Sequence, residues 1–424
     1  VANDETRQLE PASVLVYWMG TTGDALPFLG IADAIARRGH QVKVFGNGHF
    51  RPLAEKLGLT FFDLITEEQY QQRLKERENA LDLESLKLNS KYVVEDLPSV
   101  HQSILEHHLT GRTLVVAQSY LLGSRIAQEE LGFPMATVHL YPMLIRSVRT
   151  APWFVPRALV RLGYRLVDSI IDAAVAGPVN QLRNQRGLPP VARVMNEWWN
   201  SPDLVLAGFP SWFAPPQEDW PASIRQVGYP EFNPQHGTTL SEQTAHFLTQ
   251  GTPPLVFAHT PAVKMLDRFV EHSLGAARKL GERALFLGID PPPIASSDVH
   301  FSLTEPHEAL LPRVKGLTHH GGLGTAIAAI RAGIPQIIVP QMLDQPFNAQ
   351  TLAKLGVSRT IQWKKYRDPE IEKNWRRLLN DSKTLAACQR YRDRLIHSPN
   401  ACERAADEID ELIAKRINHD TRIA

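Results

Sequence analysis

The chain has little cysteine, little net charge and no long apolar run, and each lack removes a class of protein. Two cysteines, Cys388 and Cys402, in 424 residues are too few for a disulfide-built secreted scaffold. Both fall in helical patterns, which predicts buried or half-buried thiols in a cytosolic protein. A formal net charge of +1 gives no electrostatic reason to bind nucleic acid. No apolar run reaches membrane-spanning length. The first residues, Val1 to Pro11, are polar and acidic and show no signal-peptide core. A cytoplasmic globular protein is the expectation that remains. At 424 residues the chain is long for one core and fits two domains.

What is present is a repeated alternation of strand and helix. Val14 to Met19 reads as a strand, and Leu26 to Arg38 as a helix with Pro27 placed for its first turn. Gln41 to Phe45 is the next strand. Thr113 to Gln118, Leu121 to Leu131 and Ala136 to His139 repeat the cycle. Residues 200–251 are rich in proline and turns around one clear strand, Leu204 to Leu206. Alternation restarts at Leu255 to Ala258, a helix ending at Leu280, and strands at Ala284 to Leu287, His300 to Leu303 and Gly316 to Thr318. From Pro369 onward the chain is helical, and Asn400 can cap a last helix from Ala401 to about Ile417. This predicts two doubly wound α/β domains with parallel sheets, at 12–233 and 253–398, a linker at 234–252 and a closing helix at 399–424. Ligands are expected where the carboxyl ends of the two sheets face each other.

The most informative stretch is His319-His320-Gly321-Gly322-Leu323-Gly324-Thr325. It lies between a strand and a helix read at Ala326 to Ala332. Gly321, Gly322 and Gly324 let backbone approach a diphosphate at a helix N-terminus, where free N–H groups carry partial positive charge. Thr325 adds a hydroxyl, and His320 can donate a ring N–H. A further strand, Gln336 to Pro340, leads to Asp344-Gln345, which offers groups for sugar hydroxyls. The glycine spacing does not fit a dinucleotide fingerprint, and no Lys-Ser or Lys-Thr follows for a P-loop. A ligand-free tight turn is the alternative, and Asp344 alone can be read as a cap of the helix Phe347 to Leu355.

The stretch from His320 to Gln345 resembles the donor signature of inverting nucleotide-sugar glycosyltransferases of family 1, which have the GT-B fold. That fold consists of two Rossmann-like domains facing across a cleft, with C-terminal helices returning to the N-terminal domain. The resemblance implies that His320, Gly322, Gly324 and Thr325 hold the donor diphosphate and that Asp344 and Gln345 hold its sugar. Gly20-Thr21-Thr22-Gly23-Asp24-Ala25-Leu26-Pro27 resembles the Gly-x-x-Gly-Asp-x-x-Pro loop of bacterial and sterol members, where the Asp is the candidate general base. An acceptor hydroxyl loses its proton as it attacks the anomeric carbon, so a carboxylate in reach helps. The alternative for Asp24 is a cap for a helix starting near Leu26. His49 and His139 are weaker base candidates or acceptor-pocket residues.

Some positions depart from the family pattern. The usual Gly-Ser after the first strand of the second domain is Thr260-Pro261 here, so Thr260 or His259 substitutes or the contact is missing. The catalytic Asp that plant members pair with a His corresponds to Gln118, which leaves Asp24 to act alone. The base-stacking segment corresponds to Thr304-Glu305-Pro306-His307, which points to His307 and to backbone near Ser302 and Leu303 for the nucleoside. Uracil and thymine both stay open.

No cofactor is expected beyond the donor, dTDP-sugar or UDP-sugar, and no metal. The nearest acidic run, Asp407-Glu408-Ile409-Asp410, falls in the last helix and reads as solvated surface. Phe209 to Gln217, with Gly228-Tyr229-Pro230, resembles the rhamnosyltransferases of rhamnolipid synthesis, which implies dTDP-rhamnose and a 3-hydroxy fatty acyl acceptor. Arg157, Arg161, Arg165, Asp168 and Asp172 form one helical stripe. Two readings stand for that helix: an amphipathic surface for a lipid or the inner membrane, and a core-packing helix with a solvated charged face. Trp153 and Phe154 are candidates for lining an apolar acceptor pocket. Glucosylation of a polyketide, carotenoid or phenolic acceptor is the alternative within the class. Outside it stand a nucleotide-sugar 2-epimerase and a catalytically silent binding partner.

Overall fold

The computed structural model describes residues 11–79, 83–147, 157–233, 239–258, 266–290, 296–341 and 343–420. The chain divides into two compact units. The first holds Val1–Arg73, Lys87–Pro234 and Pro399–Ala424, and the second Leu74–Leu86 and Gln235–Ser398.

The first unit runs β1 (Ser13–Tyr17), α1 (Thr22–Ala36), β2 (Gln41–Asn47), α2 (Arg51–Lys56), β3 (Thr60–Ile65), α3 (Glu67–Asn79), α4 (Leu83–His107), β4 (Thr113–Gln118), α5 (Leu122–Leu131), β5 (Met135–His139), α6 (Arg157–Gln185), β6 (Leu204–Ala207) and β7 (Ile224–Gln226). The seven strands are parallel in the order β3-β2-β1-β4-β5-β6-β7. The chain steps outward from β1 to β2 and β3, then returns to place β4 on β1's other side. The switch point of the sheet is therefore the β1–β4 boundary, where Tyr17 lies level with Ala117.

The second unit runs α7 (Glu242–Thr249), β8 (Leu255–Ala258), α8 (Leu266–Leu280), β9 (Ala284–Leu287), β10 (Val299–Ser302), α9 (His307–Leu310), β11 (Gly316–His319), α10 (Leu323–Ala332), β12 (Gln336–Ile338), α11 (Gln345–Leu355), β13 (Ser358–Thr360), α12 (Asp368–Asn380) and α13 (Ser382–Ile396). Its six parallel strands follow the order β10-β9-β8-β11-β12-β13, with the switch point between β8 and β11. Both faces are covered, as the strand periodicity shows. Leu255, Phe257, Ala284 and Phe286 enter one cluster with Trp375 of α12, while Val256, Leu285 and Leu287 enter another with Ala329 of α10.

The last helix, α14 (Ala401–Asp420), packs on α1 within the first unit. Gly30 makes this approach feasible, since a Cβ there would fall 2.8 Å from Cys402 Sγ and 2.7 Å from Phe232 Cβ. Of the acidic run read as solvated surface, Asp407 is exposed, but Asp410 is half-buried and both pair with the end of the α1 segment. Arg38, just past the end of α1, reaches Asp407 and Asp410, each at 2.7 Å, and His40 lies 2.9 Å from Asp410. Both cysteines are buried, and burial pushes each thiol up to about 12.

Two further expectations are corrected. Pro27 is not in the first turn of α1, because Thr21 and Asp24 start the helix near Thr22, a full turn before Leu26. The acidic part of the stripe on α6 faces inward, whereas Arg165 is exposed. Asp168 is buried against Arg146 at 2.7 Å, and Asp172 accepts from the Met195 N–H at 3.1 Å. The outward face carries Leu159, Leu162, Leu166 and Ile170, with Leu162 64% and Leu166 63% exposed. The first half of the helix is thus held at Asp168 and Asp172 and shows apolar residues to solvent beside the exposed Arg165, while its second half packs Val175 and Val179 into the core. The side chains of Arg157 and Arg161 lie outside the described residues.

Candidate active site

The glycine loop sits at the switch point of the second sheet, directly after β11. Gly321 has φ +97°, and a Cβ there would lie 2.7 Å from Ile338 Cγ2. His319 holds the turn from below. It is fully buried, and burial, reinforced by His320 and His307, pushes its imidazole down to about 3. The neutral ring accepts the Gly321 N–H at Nδ1 (3.1 Å), so Nε2 carries the proton and donates to Gln336 Oε1 (2.9 Å). His320 turns the other way, and its Nε2 lies so close to Gly322 that a Cβ on that residue would approach to 2.5 Å. Gly322 caps α10, which places Gly324 and Thr325 in the helix's first turn. The loop thus presents an imidazole edge, a hydroxyl residue and a helix N-terminus together.

The second part of the motif is tied to the first by Asn348, which sequence reasoning missed. Asn348 is fully buried in α11. Its amide donates to the Gly321 carbonyl at 2.9 Å and to the Asp344 carboxylate. Asp344 occupies the N-cap position of α11 without a side-chain bond to the helix backbone, so its carboxylate faces Asn348 rather than acting as a cap. Gln345 Oε1 accepts the Gln341 N–H at 2.9 Å. Just before Asp344, Leu343 adopts φ +53°, a conformation that a branched side chain rarely takes, and its side chain is exposed.

The predicted nucleoside region is partly committed elsewhere. The Ser302 hydroxyl donates to Glu305 Oε1 (3.0 Å), and its carbonyl accepts the Gly288 N–H (2.9 Å). Glu305 is buried and also accepts from Ser241 and Thr244; burial opposes its charge, and these donors hold its carboxyl below the usual range. Ser302 therefore serves this carboxylate cage, and Leu303 is exposed beside it. His307 is half-buried and close enough to His319 to disfavour its protonation. Thr260 lies outside the described residues.

Asp24 sits at the switch point of the first sheet, in the first turn of α1 just after the loop that follows β1. Gly20, at φ +126°, lets it fold back, since a Cβ there would fall 2.2 Å from Asp24 Oδ2. Three donors converge on the carboxylate. The Thr21 N–H reaches Oδ2 at 3.0 Å, and the Gln118 amide and the Tyr141 hydroxyl reach Oδ1 at 3.0 and 3.1 Å. Asp24 is thus both the helix-start residue foreseen as an alternative and the centre of a polar cluster. Gln118, at the position that corresponds to the plant members' catalytic Asp, donates to it directly. No local motif marks Tyr141, which arrives from the loop after β5.

The histidine candidates separate. His139 is 0% exposed, stacks edge-on against Trp199, bonds Asn200 at 2.6 Å, and is pushed down to about 4 by burial. It belongs to the core and not to a pocket wall. Trp198 and Trp199 are core residues too. His49 is partly exposed, 3.1 Å from both Glu67 oxygens and stacked on Tyr70. Trp153 and Phe154 lie outside the described residues.

Comparisons with known proteins agree with this chemistry. A family model described as the C-terminal domain of erythromycin biosynthesis protein CIII-like proteins matches residues 297–412. The chain is 28% identical over 364 residues to the O-mycaminosyltylonolide 6-deoxyallosyltransferase of Streptomyces fradiae, covering 80% of this chain and 83% of that protein. The solved glycotransferase of kitacinnamycin is similar in fold, with TM-score 0.73 at 16% identity over 95% of this chain and 99% of that one. The glycosyltransferase VinC, solved in complex with dTDP, gives TM-score 0.66 at 16% identity over 95% of this chain and 100% of that one. Sheet topology, loop chemistry and these relatives make this chain a glycosyltransferase of the GT-B type.

Proposed function

We propose that the chain transfers a 6-deoxyhexose or hexose from a dTDP-sugar or UDP-sugar, with inversion, to a hydroxyl of an apolar acceptor. The observation that carries this reading is the pair of polar loops, one at each switch point: His320 to Thr325 after β11 and Asp24 after β1. Asp24 takes the acceptor's proton as its oxygen attacks the anomeric carbon. The bond between that carbon and the diphosphate oxygen breaks, and inversion follows from attack opposite the leaving group. His320 and the N-terminus of α10 stabilise the charge that develops on the diphosphate. Asp344 and Gln345 orient the sugar. Thymidine is the first choice of base, because VinC was solved with dTDP, and the Streptomyces fradiae relative is named for a 6-deoxy sugar. Metal independence is part of the proposal, since His320 and the α10 N-terminus can take over the charge that a cation would neutralise.

For the acceptor, a 3-hydroxy fatty acyl lipid is supported by the outward apolar face of α6. Arg146, on the loop that also carries Tyr141, ties that helix to the Asp24 cluster. A macrolide or other polyketide is the second reading, favoured by the tylonolide-modifying relative. The test is incubation with dTDP-rhamnose and UDP-glucose, each with a 3-hydroxyacyl lipid, with a macrolide aglycone and with no acceptor, in EDTA. Release of free nucleoside diphosphate only with acceptor is the expected result. Acceptor-free sugar isomerisation indicates an epimerase, and donor binding without turnover a silent partner; either result overturns the proposal. Asp24→Asn is expected to lower kcat by about 100-fold or more, and full activity in that variant refutes the base assignment.

A further inference from the structure

We propose that Gln118 and Tyr141 are positioning residues that fix the Asp24 carboxylate for proton abstraction; this rests on the reading of Asp24 as the base. Gln118 ends β4, the strand paired with β1 at the switch point, and is 4% exposed. Its amide is not free to rotate end for end. Met19 N–H can only donate, and it meets Gln118 Oε1 at 2.9 Å. The amide nitrogen is therefore forced towards Asp24 Oδ1. A backbone group of the β1 loop thus dictates which end of Gln118 faces the carboxylate. Tyr141 adds a second donor to the same oxygen from the loop after β5, so two elements far apart in sequence hold one carboxylate edge. The Thr21 N–H holds the other oxygen. Such a clamp sets the rotamer of the carboxylate before acceptor arrives, which is what an efficient base requires. Among the described residues, the titratable group that Gln118 bonds is Asp24, which Tyr141 bonds as well.

The proposal makes an unusual demand of a glutamine: it must be a donor toward Asp24 and an acceptor toward Met19. Gln118→Glu meets that demand only while protonated. Its kcat relative to wild type is expected to be near normal at about pH 5 and to fall about tenfold or more at about pH 8, where two carboxylates face each other. Gln118→Leu is expected to lose about tenfold in kcat at both pH values. Tyr141→Phe is expected to lower kcat by about three- to tenfold, with the donor KM unchanged. A purely structural role predicts lower melting temperatures without a pH-dependent recovery of Gln118→Glu. If Gln118→Glu tracks wild type at both pH values, or loses equally at both, the positioning role is overturned, and Tyr141→Phe with wild-type kcat overturns its share. Asp24→Asn separates the two levels. Full activity there sinks the base itself, whereas an inactive Asp24→Asn beside fully active Gln118 and Tyr141 variants sinks only the clamp.

Discussion

Replacing Gly322 by alanine should damage donor binding while leaving the fold intact. Gly322 has φ −60° and ψ 137°, values that alanine adopts readily. The backbone cost is that of a poorer N-cap residue, roughly 0.5–1 kcal/mol. The added methyl instead meets His320, whose Nε2 would lie 2.5 Å from it, about 1 Å inside ordinary contact. The imidazole is the movable partner, so it swings away from the helix N-terminus. If it donates to the diphosphate, a charge-assisted hydrogen bond worth about 1.5–3 kcal/mol is lost, which is about 10- to 150-fold in donor affinity. Calorimetric titration with dTDP, read beside a melting curve, checks this. An unchanged melting temperature with affinity within about twofold of wild type would refute the assignment of His320 to the diphosphate. Gly321→Ala is the contrasting control. There φ is +97° and the methyl meets Ile338, so the loss should appear first as instability.

Asn348→Leu removes the donor shared by the Gly321 carbonyl and Asp344, and should destabilise by about 1–3 kcal/mol while raising the donor KM more than it lowers kcat; a thermal melt and initial rates read both. Acid should weaken both units. His139 and His319 are buried neutral, with folded values near 4 and 3 against an unfolded value of 6.5. The unfolded chain therefore binds protons first, and stability is complete above about pH 6.5 and falls as pH drops toward the folded values. At about pH 5 each histidine costs about 2 kcal/mol. Melts between pH 7 and pH 5 should show the decline, and His139→Gln should flatten part of it.

The interior strands were legible because parallel strands buried on both faces read as apolar runs; Thr113–Gln118 and Leu255–Ala258 fall where their residues place them. Three of the four edge strands, β3, β7 and β13, were not read; β3 and β13 mix exposed with buried positions, and β7 has no buried residue. The glycine loop was legible because its chemistry is consecutive in sequence. Gln118, Tyr141 and Asn348 were missed as partners because a switch point gathers residues from strands that are neighbours only in the folded sheet. The α6 stripe shows the limit of periodicity. Spacing separates the polar face from the apolar one, but it does not show that Arg146 and Met195 draw Asp168 and Asp172 inward while the leucines beside them stay exposed.

The return of α14 to the first unit makes the second unit an insertion in the chain rather than a tail. During synthesis the face of α1 that α14 covers stays open until the last helix is made, whereas the second unit can be complete before then. Gly30 is then covered by Phe232 first and by Cys402 only when the last helix arrives. The same arrangement governs chimeras. A chimera that exchanges the second unit alone needs two cut points, one near Pro234 and one near Pro399, so that Asp410 of α14 stays with the Arg38 it pairs.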